Sequence, residues 1–166
     1  MAVVETIFLR LKTRDAPYAG TDTDVFLGIG GREFPIDSDR DDFERGDDRT
    51  YILGDKPNVL PENPEYIGDT FYGAGDPEEP YVVKTEKLNL FPVYIRVEPT
   101  DDSSSWQLDY VEVRVNPETD NIIYSALEDV DEYIFLGYEG HILYLLPQSI
   151  IIPVDKENQN RKQRRL

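Results

Sequence analysis

The strongest constraint in this 166-residue sequence is a two-residue hydrophobic period that recurs along most of its length. Ile7, Leu9 and Leu11 alternate with Phe8, Arg10 and Lys12, and Val25, Leu27 and Ile29 share one face of DVFLGIGG. Later, Val93, Ile95 and Val97 alternate with Tyr94, Arg96 and Glu98, and Val111, Val113 and Val115 with Glu112 and Arg114. Successive side chains of an extended chain point to opposite sides, so this pattern gives each segment one face to bury. REFPIDS reads as a short edge strand, because Pro35 has no N–H to give a ladder. RTYILGD, NIIYSAL, EYIFLG, HILYLL and a buried-looking SIIIPV complete the set, the Tyr-Glu-Gly turn separating EYIFLG from HILYLL. Helical period is scarce, and SALEDVDEY has room for a single turn. Many short strands divided by turn signals predict an all-β sandwich or barrel.

Two regions break this rhythm. Residues 54–80 are rich in proline and acid and carry the apolar cluster Tyr66, Ile67, Phe71 and Tyr72. A connection of that length either folds over one end of the sandwich or acts as a binding lid. The tail DKENQNRKQRRL, residues 155–166, concentrates four of the 17 basic residues in its last six positions and reads as a solvated, disordered segment.

Composition narrows the chemistry. With no cysteine, thiolate zinc sites, iron–sulfur clusters and cysteine nucleophiles are excluded. The net charge of −17, from 34 acidic against 17 basic residues, repels phosphate backbones and argues against nucleic acid. It suits cations or basic proteins, and it also serves plain solubility. MAVVETIFLRLK lacks the basic and apolar regions of a signal peptide, and no run reaches the length of a membrane span, so the expected location is cytoplasmic. The one histidine, His141, sits in an alternating strand beside a turn, and no nucleophile elbow, phosphate loop or H-E-x-x-H motif occurs. Nothing supports catalysis.

Calcium chemistry is better served, because it needs hard oxygen donors on loops that can wrap an ion. YAGTDTD (18–24), DSDRDDFERGDD (37–48) and TDDSSSW (100–106) supply them. The middle loop opens like an EF-hand, but Asp42 stands where that motif needs glycine and Asp48 where it needs glutamate.

Three motifs occur in a recognisable order over roughly residues 4–117: an A-G-T-D turn entering a strand, an F-E-R-G box, and a tryptophan opening the W-x-L-x-x-V strand. In order and spacing they resemble the PLAT domain of lipoxygenases, pancreatic lipases, clostridial phospholipase C and polycystins. The resemblance implies two four-stranded antiparallel sheets and a non-catalytic module that attaches to membranes or protein partners, often with calcium. Carried over by motif, the implied calcium ligands are Tyr18, Gly20, Thr21 and Asp22 in the turn, Asp37 and Asp42 around the box, and Asp102 before the tryptophan. Three serines separate Asp102 from Trp106, a departure from the family pattern. Read without the family, Asp22 can simply cap its own turn and Glu44–Arg45 can close the sandwich end. Phe71, Tyr72 and Trp106 are the expected contacts to a partner or membrane.

These readings predict a sandwich over residues 1–120 with the 54–80 loop inserted, and further strands over 121–154 packed on it. The expected function is a calcium-binding association module, and the net charge favours a protein partner over anionic lipid. The alternative is an assembly subunit that uses its sheet edges and C-terminal strands without calcium.

Overall fold

The computed structural model describes residues 3–38, 40–54, 58–60, 83–99, 105–129 and 131–148. The alternating segments become strands: β1 (Thr6–Thr13), β2 (Asp24–Ile29), β3 (Arg32–Ile36), β4 (Asp48–Gly54), β5 (Asn58–Leu60), β6 (Val93–Glu98), β7 (Trp106–Val115), β8 (Ile122–Ala126), β9 (Ile134–Leu136) and β10 (Ile142–Pro147). Every paired strand is antiparallel. Gly30 and Gly31, both at positive φ (+61° and +79°), make the two-residue turn between β2 and β3 that the strand twist requires. A 3-10 turn at Thr85–Leu90 buries Leu88, while SALEDVDEY forms no helix among its described residues.

The all-β sandwich read from the alternation is the architecture adopted, with sheets of unequal size. One runs β3-β2-β6-β10 and the other β10-β8-β7-β1-β4-β5, so β10 belongs to both. Ile142 to Leu145 pair with β6, and Leu146 and Pro147 with β8. Each residue of ILYLLP is therefore paired with one strand, the first four with β6 and the last two with β8. β9 and β10 do not form a hairpin with each other. β9 pairs with the first three residues of β7, on the edge that β8 takes further along.

Inward residues of both sheets merge in one core. Leu9, Leu11, Val111 and Val113 come from the larger sheet, Val25, Leu27, Ile95 and Val97 from the smaller, all at most 3% exposed. Each such side chain contributes roughly 1.5–3 kcal/mol through burial. The inward phase slips once in β7, from Trp106 and Leu108 to Val111 and Val113, where a bulge interrupts its register with β1 at Lys12 and Thr13. Asn116 ties the first strand to the end of β7, its Oδ1 accepting from Glu5 and Thr6 N–H at 2.9 and 3.1 Å. Among the described residues no helix is long and apolar enough to cross a membrane.

Candidate functional site

The A-G-T-D turn and the F-E-R-G box meet at one end of the sandwich. Thr21 N–H donates to the Phe43 carbonyl at 3.3 Å. Gly20 lies so close to the same segment that a Cβ would sit 3.0 Å from the Phe43 oxygen and 3.2 Å from the Arg45 nitrogen, so a side chain here would press the two loops apart by a few tenths of an ångström. Phe43 itself holds a left-handed backbone (φ +63°), and its buried ring packs against Tyr51 and Trp106 with centroids 5.9 and 5.1 Å away. The three family motifs thus form a single packed unit.

Trp106 belongs to that unit and presents no surface. Its ring is 0% exposed, and the indole N–H donates to Thr13 Oγ1 at 2.9 Å, so the contact role expected of Trp106 gives way to a core role. An amphipathic ring at the start of a strand is equally suited to either place, and inward phase decides it. Phe71, Tyr72 and Asp102, the other expected contacts and ligand, lie outside the described residues.

Inside the turn, Thr21 does the local capping expected of Asp22. Thr21 Oγ1 accepts from Thr23 N–H at 3.2 Å and donates to Thr23 Oγ1 at 2.8 Å, both threonines being buried. Asp22 is left exposed, with no ion pair to a described residue. Tyr18, another implied ligand, is 96% exposed at φ +60°.

Asp42 is placed quite differently. Its side chain is 5% exposed and its carboxylate accepts four hydrogen bonds. Oδ2 accepts from Ser38 N–H at 2.6 Å, and Oδ1 from Ser38 Oγ at 2.7 Å, Arg49 Nη1 at 2.9 Å and the Tyr51 hydroxyl at 2.9 Å. Arg49 also reaches Asp47 at 3.1 Å. Burial, and next the Asp42 charge, push the Tyr51 phenol far above its ordinary value. This carboxylate anchors the loop onto β4, with three of its four hydrogen bonds on Oδ1 and one on Oδ2. Arg45 pairs with Asp15 at 2.7 Å, not with Glu44.

Between the two loops lies an open cleft of about 220 Å³. Thr21, Asp22, Asp37 and Asp42 line it, which unites four of the seven implied ligand positions. Asp24 and Asp41 line it too, as does Arg40, the one base among the described residues of its wall. The sequence reading did not single out Asp24 or Asp41, although Asp24 follows Asp22 at the two-residue spacing of an extended chain. The donors are hard oxygens, the right chemistry for calcium. Among the described residues, however, no group of three or more such side chains is arranged to hold a metal ion.

No protein-family model and no curated protein matches the chain. Solved structures do share its fold. The alpha toxin from Clostridium absonum matches over 87% of this chain and 32% of its own, at TM-score 0.50 and 22% identity. A coral 8R-lipoxygenase, described as activated by calcium through a C2-like domain, matches over 95% of this chain and 20% of its own, at TM-score 0.50 and 15% identity. The chain therefore spans a third or less of those proteins and has the fold of their PLAT/C2-like domains.

Proposed function

We propose that this chain, PLAT/C2-like in fold, is a non-catalytic binding module whose acidic loop end responds to calcium and docks a protein partner. The observation that carries this reading is the cleft that draws Asp22 and Asp37 together from two separate loops, with Asp24 and Asp41 beside them. Asp22 and Asp37, with carbonyls of the same loops, would close round the ion from positions where the side chains do not yet form a ligand set, with Asp24 and Asp41 adding charge beside them, while Asp42 positions the loop. Calcium would supply positive charge where acids crowd, lowering the barrier to a partner's approach. The calcium activation described for the coral lipoxygenase supports the choice of ion.

Isothermal calorimetry with calcium chloride, beside thermal melts, tests this on the wild type and on Asp22→Asn/Asp37→Asn. Saturating calcium stabilises a native-state site by about 2.7 kcal/mol at a hundredfold excess over Kd, which reads as a melting shift of several degrees. The double variant is expected to lose both heat and shift. A wild type without either result overturns the metal reading. Flotation with phosphatidylserine vesicles and calcium is expected to leave the protein at the bottom, and flotation with the vesicles overturns the preference for protein.

The alternative, an assembly subunit, draws support from the outer face of β10, where Ile142, Tyr144 and Leu146 are 42%, 60% and 69% exposed. Sedimentation of the wild type against Tyr144→Ser/Leu146→Ser separates the readings, since an oligomer that dissociates in the variant favours assembly.

A further inference from the structure

The smaller sheet, β3-β2-β6-β10, has two borders, and the chain treats them differently. Hydrogen bonding in an antiparallel ladder alternates, so every second residue turns its N–H and C=O to one neighbour and the residues between turn theirs the other way. On β3 the phase is set by the two-residue turn, which closes on Ile29 and Arg32. Arg32, Phe34 and Ile36 therefore bond to β2, while Glu33 and Pro35 face outward. Proline at an outward position removes the donor that another strand would use, so this border is blunted.

On β10 the phase is fixed from both ends. Val97 N–H donates to the His141 carbonyl at 2.9 Å, and Gln148 N–H to the Ile123 carbonyl at 2.8 Å. Leu143 and Leu145, in register with Ile95 and Val93, therefore turn to β6, and Leu146 turns to β8. Ile142 and Tyr144 share the phase of Leu146, so their N–H and C=O groups point along the border that β8 takes. However, β8 ends at Ala126, and Leu127 leaves it with a left-handed backbone at φ +59°. Neither Ile142 nor Tyr144 has a backbone hydrogen bond to a described residue on that side. Their side chains are 42% and 60% exposed, and no residue of Ile142–Pro147 is charged. Unlike β3, this stretch carries no proline, charge or bulge to keep another strand away.

We propose that a second copy of this chain covers this border, β10 pairing antiparallel with its counterpart about a two-fold axis at Leu143. In that register Ile142 faces the partner's Tyr144, and Tyr144 faces the partner's Ile142. The two N–H and two C=O groups left over on each copy then answer one another completely, as a self-complementary contact allows. On the outer face the same register sets isoleucine against tyrosine twice, a favourable cross-strand pair. A copy suits the stretch better than a basic partner, because the stretch offers no charge to pair. So short a seam falls well below a standard interface, which makes the dimer weak and concentration-dependent. The proposal rests on the reading of this chain as an assembly subunit and does not involve the acidic cleft.

The chain has no cysteine, so a single introduced thiol reports the register. Residues opposed in a non-hydrogen-bonded pair lie about 4.5 Å apart between Cα atoms, within disulfide range. Leu143→Cys is expected to cross-link to its copy under mild oxidation, and Leu146→Cys, away from the axis, is not. Sedimentation of the full chain in chelator, from about 10 µM to about 1 mM, is expected to show a rising dimer fraction. Added salt should raise it further by screening two copies of net charge −17 from each other. Tyr144→Pro removes an outward N–H, as Pro35 does on β3, and is expected to abolish the dimer. Tyr144→Thr, which loses the ring but keeps the N–H, is expected to weaken it about tenfold at most. Cross-linking through Leu146→Cys but not Leu143→Cys, or equal dimers in the two Tyr144 variants, overturns the edge pairing and leaves assembly through the outer face standing. A wild type that stays monomeric at the highest concentration overturns both. The thiol variants decide the register whether or not the proline variant folds.

Discussion

Replacing Asp42 by alanine removes a carboxylate that accepts from Ser38 N–H, Ser38 Oγ, Arg49 and Tyr51 at once. All four bonds end on a carboxylate and are charge-assisted, each worth about 1.5–3 kcal/mol. Simple addition overstates the loss, because Arg49 keeps Asp47 at 3.1 Å and water can enter from the cleft. Against the 3–5 kcal/mol typical of an ion pair broken from one side, a destabilisation of about 3 kcal/mol is expected. For a chain of 166 residues that lowers the melting temperature by about 6–12 °C. Urea unfolding followed by the fluorescence of the single tryptophan, Trp106, reads the change at the packed end where Asp42 acts. Tyr51→Phe, which removes one of the four bonds, is expected to cost about 1.5–3 kcal/mol. The melts are run with chelator. A loss within about 0.5 kcal/mol, as for an ordinary surface site, would refute the anchoring role. So would a loss seen only with calcium, since the carboxylate would then serve an ion.

Other predictions follow from the same geometry. Arg96 grips Glu33 through Nε and Nη2 at 2.7 and 2.9 Å and holds its carboxyl below the ordinary 4.5, and Arg10 likewise lowers Asp48 from 3.8. Their stabilisation is complete above those ordinary values and is lost as pH falls through the lowered folded-state pKa, so Glu33→Gln should flatten the acid limb of a stability–pH curve. Trp106, fully buried, should resist iodide quenching until the chain unfolds. In an alkaline absorbance titration Tyr51 should stay protonated until unfolding and then ionise, and Tyr51→Phe should remove that late step.

Period-2 alternation made the strands legible because it depends on local side-chain phase alone. Pairing is harder to read. Nothing local in ILYLLP tells that its first residues will join β6 and its last two β8, since that depends on where two distant strands end. The same limit applies to the site. A-G-T-D and F-E-R-G pointed to two loops that do converge, yet the role of Asp42 rests on Arg49 and Tyr51, which enter from β4. Trp106 was misplaced because its hydrophobicity fits a contact surface as well as a core. The β7 bulge leaves a trace in the sequence, a three-residue step from Leu108 to Val111 where two is the rule. That slip is the local mark of the bulge, which the alternation of Val111, Val113 and Val115 by itself does not show.

Because β10 is the last described strand in chain order and closes both sheets, the fold has a temporal consequence. During synthesis β6 and β8 wait with unpaired edges until Ile142 to Pro147 have been made. An unfinished chain that stops before this strand offers two adhesive borders to its neighbours, a known route to aggregation. Expression of this protein should therefore be sensitive to whatever delays or removes β10.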